Sequence, residues 1–148
     1  MFKHVFIPTD GSELSKKAVD AGIAFAKEAG ARVTGYFAVE PKPAPLYGEG
    51  YRFPDPKMVD EHEHASREAG KAFVAAIARA ANDAGVEFDG LVTDAQSPCE
   101  GIVNAARERA CDVIFMASHG RRGLARVALG SVTNEVLSHS TIPVMVYR

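Results

Sequence analysis

Short apolar runs rich in β-branched and aromatic residues alternate along the chain with stretches whose apolar positions recur every three or four residues. Strands and helices that exchange one for one build a mostly parallel, doubly wound sheet, because a parallel neighbour is reached by a right-handed helical crossover. The first run, His4-Val5-Phe6-Ile7, stops at Pro8-Thr9-Asp10-Gly11-Ser12, a cluster of turn formers. Ser12 then N-caps a helix carrying Leu14, Ala18, Ala21 and Phe25 on one face, and Gly30 ends it. Residues 32–39 form a second strand, with Gly35 as an unusual interior residue.

Residues 40–56 cannot continue either element, since five prolines, two glycines and two tyrosines fall in this stretch. They form an excursion loop whose Tyr47, Tyr51 and Phe53 could cover a ligand, join a protein contact or stay in solvent. Asp55-Pro56 supplies an N-cap and a first-turn proline for a long helix patterned by Ala65, Ala69, Ala72, Phe73, Ala76, Ile77 and Ala80, closed by Gly85. Residues 86–93 read as the third strand. Ser97-Pro98-Cys99-Glu100 is a capping box that opens a helix through Ile102, Val103 and Ala106. The fourth run, Val113-Ile114-Phe115-Met116, has no polar alternation, as expected of an interior strand covered on both faces. A glycine-bearing loop over 118–130, a short helix through Val132, Val136 and Leu137, and the run Pro143-Val144-Met145-Val146-Tyr147 complete the pattern. With no break in the alternation, residues 1–148 read as one domain.

Composition narrows the function classes. A chain of 148 residues buries roughly two-thirds of its unfolded surface, enough for a core without staples. Hydrophobic residues at 47% and charged residues at 24% exclude disordered and fibrous classes. The formal charge of -2 offers no global field for nucleic acid or anionic membrane, so any anion site is local. Two cysteines, Cys99 and Cys111, are too few for a disulfide framework and match no zinc spacing. No apolar run approaches the roughly 18 residues of a membrane span, and Met1-Phe2-Lys3-His4 leads straight into a strand, so the expected location is cytoplasmic.

In open parallel sheets ligands bind beyond the carboxyl ends of the strands, where strand order reverses. The relevant segments are therefore Pro8 to Ser12 after the first strand and Ala117 to Thr133 after the fourth. Between Val113 and Asn134 the chain holds Arg121, Arg122 and Arg126 and no acidic residue. Glycines there allow backbone N–H groups to approach a phosphate, and Gly130-Ser131 opens a helix whose first N–H groups and dipole favour an anion. Ser131 and Thr133 add hydroxyl donors. The same residues also suit a tight turn, an N-cap and a solvated arginine surface, and spacing alone leaves both readings open.

Taken together, Pro-Thr-Asp-Gly-Ser after the first strand, Ser-His-Gly-Arg-Arg-Gly-Leu, then Leu-Gly-Ser-Val-Thr and a terminal Pro-Val-Met-Val resemble the universal stress protein family over the whole chain. The resemblance implies a Rossmann-like, five-stranded parallel α/β sheet of strand order 3-2-1-4-5 with helices on both faces. It also implies a dimer and a nucleotide-binding branch marked by Gly-x2-Gly-x9-Gly-(Ser/Thr). On that pattern Gly120 is the second glycine and Gly130-Ser131 complete the motif, while Ala117 replaces the first glycine. A Cβ then stands where backbone approaches ligand, and we read the change as weakening affinity more than abolishing it. The resemblance further implies that Gly120, Arg121, Gly130, Ser131, Val132 and Thr133 surround the phosphates of ATP. Pro8, Thr9, Asp10 and Ala38 would hold the adenosine end, with Met116 and Ala117 against ribose or base. Asp10 suits ribose hydroxyls or a Mg²⁺ ion beside the phosphates; its alternative role is to cap the following helix. The last strand, Val144, Met145, Val146 and Tyr147, is a β-prone edge that must be covered, and the resemblance makes it the homodimer contact.

Other features carry less. Glu61-His62-Glu63-His64 invites a metal reading, but residues two apart do not share a helical face. His119 could reach a phosphate or serve structure, and Cys99 near a helix N-terminus could be a low-pKa, redox-sensitive thiol. Nothing matches a nucleophile elbow, a full Walker A loop or a zinc-protease helix, so the expectation is a stress-response signalling module with at most slow ATP hydrolysis and an unidentified protein partner. Two alternatives stay open: a non-nucleotide-binding interaction module of the same fold, and a receiver-type phosphoacceptor using Asp10 and Asp94.

Overall fold

The computed structural model describes residues 1–40, 55–120 and 128–148. Five parallel strands, β1 (His4–Pro8), β2 (Arg32–Val39), β3 (Phe88–Asp94), β4 (Val113–Ala117) and β5 (Val144–Tyr147), form one sheet in the order 3-2-1-4-5. Four helices connect them: α1 (Glu13–Ala29), α2 (Pro56–Ala84), α3 (Pro98–Glu108) and α4 (Ser131–His139). The strand order reverses between β1 and β4, which pair through Val5 with Val113 and Phe6 with Ile114.

Strand alternation sorts side chains into two cores. Val5, Ile7, Val33 and Val113 pack with Val19, Ile23 and Ala26 of α1 and Ile77 and Ala81 of α2. On the other face Phe6, Tyr36, Ile114 and Met116 meet Cys99, Ile102, Ala105 and Ala106 of α3 and Val136 of α4. Burying each of the larger side chains contributes about 1.5–3 kcal/mol relative to exposure. Every residue of β1 is buried, and β4 lies inside the sheet between β1 and β5, as its unbroken apolar run implies.

The helix boundaries follow local chemistry. Ser12 Oγ accepts from Ser15 N, Asp55 Oδ1 from Lys57 N and Ser97 Oγ from Glu100 N, while Gly30 and Gly85 end α1 and α2 in the left-handed conformation. Gly35 is in β2 because a Cβ there would lie 2.9 Å from Phe88 and 3.2 Å from Ile77. Two expectations need correction. The third strand runs two residues later at its start than 86–93, with Val86 bonded instead to the end of α2 through Ala81 O. The buried stripe of α2 consists of Val59, Gly70, Val74, Ile77 and Ala81, whereas Ala65, Ala69, Ala72 and Ala76 are exposed. Alanine favours helix without marking a face, so its spacing misassigned that face.

Candidate functional site

At the carboxyl end of β1, Thr9 N donates to Tyr36 O at 2.9 Å, and the chain then turns sharply into α1. The turn is tied by side chains. Gly11 N donates to Thr9 Oγ1 at 3.1 Å, Ser12 N donates to Asp10 Oδ1 at 2.9 Å, and Thr9 Oγ1 lies 2.8 Å from Ser15 Oγ. Asp10 thus spends one carboxylate oxygen on a local turn, and Ser12 takes the N-cap role. Gly11 has φ +78°, a conformation that disfavours a Cβ.

The other wall begins where β4 ends. Ser118 N donates to Tyr147 O and Gly130 N donates to Ser118 O, both at 2.7 Å, so the loop returns to its starting point and sets the N-terminus of α4 at the end of β4. Gly120 lies directly against Asp10, where a Cβ would overlap Oδ2. Gly130 is needed for space as well: its φ is -62°, but a Cβ would stand 3.0 Å from His119 Cα and 3.3 Å from Ser118 O. The β1 turn and the β4 loop therefore meet through a glycine and a carboxylate at the reversal point of the sheet.

The helix starting at Ser131 differs from the other three. Gly130 is its N-cap and provides no side chain, and no side chain among the described residues caps it. The first turn of any helix leaves N–H groups without intrahelical partners, and the dipole adds partial positive charge there. In α1, α2 and α3 an oxygen from Ser12, Asp55 or Ser97 answers one of them. In α4 no side chain among the described residues answers the first N–H groups, those at Ser131, Val132 and Thr133.

The expected site residues are distributed as follows. Thr9, Asp10, Ala38, Ala117 and Gly130 are half-buried, Ser131 and Gly120 exposed, and Pro8 buried at the end of β1. Met116 is 5% exposed and packs in the core under α3 and α4, so only its backbone borders the crevice. Thr133 corrects one expectation: its hydroxyl, 2% exposed, donates to Ala117 O at 3.0 Å and is not offered outward. Its backbone N–H remains part of the helix start. Ala117 is the last residue of β4 and does not have positive φ, so the methyl costs no backbone strain. Arg121, together with Arg122, Gly123 and Arg126, lies outside the described residues, as do Tyr47, Tyr51 and Phe53.

The low-pKa reading of Cys99, which the lack of an adjacent cysteine already disfavours, does not hold. Burial pushes its thiol up, with Glu135 and Glu100 adding in the same direction, and Cys111 is pushed up to about 11 chiefly by burial. Both directions disfavour the thiolate that cysteine reactivity requires. The receiver reading also fails on geometry: β3 is an edge strand with β2 between it and β1, and Asp94 is paired with Arg67 on α2. Asp94 and Asp10 do not form one acidic pocket. Among the described residues no three His, Cys, Asp or Glu side chains cluster as a metal site. A Mg²⁺ ion fits here only in the way this ion commonly binds, by one carboxylate, phosphate oxygens and water.

Two residues outside the expected set border the crevice. Phe73 of α2 lies against Gly11, and Ser118 supplies the carbonyl that closes the β4 loop. A lone aromatic in an alanine-rich helix was the available signal for Phe73; Ser118 acts through backbone and had none.

A doubly wound parallel sheet, with a glycine-walled crevice and a helix N-terminus that no described side chain caps at its reversal point, defines a Rossmann-like domain. A family model described as Universal stress protein family matches residues 1–148, and the chain belongs to that family. It is 31% identical over 152 residues to universal stress protein YxiE of Bacillus subtilis, with 100% of both chains covered. Among solved structures, protein MJ0577 of Methanocaldococcus jannaschii is similar with a TM-score of 0.76 and 28% identity, over 99% of this chain and 95% of that one. Two others share the fold. One is a universal stress protein in complex with cAMP, with a TM-score of 0.72 and 22% identity over 99% of this chain and 97% of that one. The other is the universal stress protein from Archaeoglobus fulgidus in complex with dAMP, with a TM-score of 0.62 and 17% identity over 100% and 98%.

Proposed function

We propose that this chain binds an adenine nucleotide, ATP with Mg²⁺, in the crevice between the β1 turn and the β4 loop, and acts as a regulatory stress-response module through its nucleotide-bound state. The observation that carries the reading is α4: it starts at a glycine without a capping side chain, beside the contact between Asp10 and Gly120. Phosphate oxygens would accept from the N–H groups at Ser131, Val132 and Thr133, with the helix dipole adding attraction. Asp10 Oδ2 would take ribose hydroxyls or the Mg²⁺ ion, and Pro8, Thr9, Ala38, Met116 and Ala117 would border the nucleoside. Gly120 admits the ligand by having no side chain, and Arg121 would add charge from the loop. The relatives in complex with cAMP and dAMP support the adenine class.

Beside the crevice Ser118 Oγ lies 3.1 Å from His119 Nδ1, but Ser118 is buried at 4% exposure and not offered to a ligand, so any ATP hydrolysis would be slow. Two free thiols, both buried, agree with a reducing cytoplasm. No helix of the described residues is long and apolar enough to cross a membrane. Calorimetry and thermal unfolding of nucleotide-stripped protein with ATP and Mg²⁺ test the reading. At 100 times the dissociation constant the fold should gain about 2.7 kcal/mol, whereas no heat and no shift at millimolar ATP would refute it.

The same reading includes a homodimer through β5. Its outer edge is unpaired among the described strands, Met145 is 36% exposed, and Leu137 of the adjoining α4 is 42% exposed. Val144, Val146 and Tyr147 complete the strand that a twofold mate would cover. Sedimentation of Met145→Glu should give a folded monomer; an unchanged dimer would move the contact elsewhere.

A further inference from the structure

The β1 turn is held from outside as well as by its own hydrogen bonds. A Cβ at Gly11 would fall within 2.6 Å of three ring carbons of Phe73. Gly11 is thus constrained twice, by its φ of +78° and by the ring occupying the space beside it. Phe73 is supported in turn by β2: its ring centroid is 5.8 Å from that of Phe37, and Phe37 sits where a Cβ of Gly70 would be. Two glycines therefore let two aromatic rings wedge α2 between the end of β2 and the β1 turn.

The wedge bears on the crevice through Asp10. Ser12 N holds Asp10 Oδ1, Gly11 N holds Thr9 Oγ1, and Gly120 packs against Asp10 Oδ2. Asp10 and Gly120 meet with the peptide at Gly11 in its left-handed conformation. In an unsupported loop glycine populates positive and negative φ about equally. A ring seated on Gly11 removes the competing positions. Without it, a ligand must pay to order the turn on binding.

We propose that Phe73 is a positioning residue for nucleotide binding: its ring, seated on Gly11, holds the 9–12 turn in the one conformation that presents Asp10 to the crevice. The proposal rests on the adenine nucleotide reading above and adds a residue from α2, which contributes no group to the phosphates.

ATP with Mg²⁺ is titrated into wild type, Phe73→Leu and Val74→Ala, and amide exchange at Gly11 and Ser12 is followed by NMR in the absence of nucleotide. Val74 is a buried neighbour on the same helix that packs toward Gly90, and serves as the control for general loss of stability. Phe73→Leu should weaken binding roughly tenfold and speed exchange at Gly11 and Ser12, while Val74→Ala lowers stability and leaves both unchanged. Wild-type affinity in Phe73→Leu, or unchanged exchange at Gly11 and Ser12, would overturn the proposal. So would an equal loss of affinity in Val74→Ala. If wild type itself takes no ATP, the functional reading fails, and the exchange measurement still decides whether Phe73 holds the turn.

Discussion

The two ends of the sheet use glycine differently: the amino end draws on its conformation, and the carboxyl end on the space it leaves, with Gly11 serving both needs. At the amino ends of the strands, Gly30 and Gly85 close α1 and α2 with φ of +64° and +72°, and nothing lies within 4 Å of where their Cβ atoms would be. They supply conformation. At the carboxyl ends, Gly120 and Gly130 lack positive φ, yet a Cβ on either would meet Asp10 or the backbone of His119 and Ser118. They supply space. The polar groups differ in the same way. Most polar groups of the amino end are paired: Asp112 accepts from Lys3 N and His4 N, His4 Nε2 lies 2.7 Å from Thr34 Oγ1, and Arg109 is paired with Asp89, while His4 Nδ1 is buried with no partner among the described residues. At the carboxyl end no side chain among the described residues caps the first N–H groups of α4. Cavities do not by themselves identify the ligand end, since two of about 290 and 250 Å³ open at the amino end, lined by residues such as Lys27, Arg32 and Glu87. Their neighbouring helix termini are C-terminal, which disfavours anions.

The largest effect that would break this comparison is at Gly120. Gly120→Val should cost about a hundredfold in ATP affinity, roughly 2.7 kcal/mol, by driving Asp10 out of place, while the melting temperature changes little. A variant with intact affinity would deprive the carboxyl-end glycine of its role. Gly30→Ala and Gly85→Ala should do the reverse: each loses about 1 kcal/mol of stability through positive φ, measured by denaturant unfolding, with affinity unchanged. The smallest effect is pH dependence at His4. Burial, then Arg32, hold its folded pKa below the ordinary histidine value, against Asp112 and Asp89, which raise it, with Arg109 lowering it. The unfolded state therefore binds the proton first, and stability is full above the ordinary histidine range and declines as pH falls through it. His4→Leu should flatten that decline; an identical pH slope would remove His4 as its source.

What the sequence made legible follows how local each cause is. Ser12, Asp55, Ser97, Gly30 and Gly85 mark helix ends because a cap needs only its own few residues. The parallel alternation was readable too, whereas the order 3-2-1-4-5 came from family resemblance, since pairing is decided between distant segments. Side-chain orientation was less accessible. Thr133 looked like an outward donor but bonds Ala117 O, and the burial that removes the activated alternative for Cys99 has no sequence signal. The face of α2 was misjudged because its key positions include Gly70, buried by Phe37 from another element. Ala117 puts a Cβ where ligand approach is expected, and its place at the end of β4 without positive φ adds no backbone strain to that.

The account's central claim is that one end of the sheet is built for an anion. The most direct measurement is a ¹H–¹⁵N NMR titration of nucleotide-stripped protein with ATP and Mg²⁺. The predicted result is saturable shifts at the amides of Ser131, Val132, Thr133, Asp10 and Gly120, with Gly30, Arg32, Gly85 and Arg109 still. Shifts confined to Gly30, Arg32, Gly85 and Arg109, or no saturable shift at millimolar ATP, would contradict it.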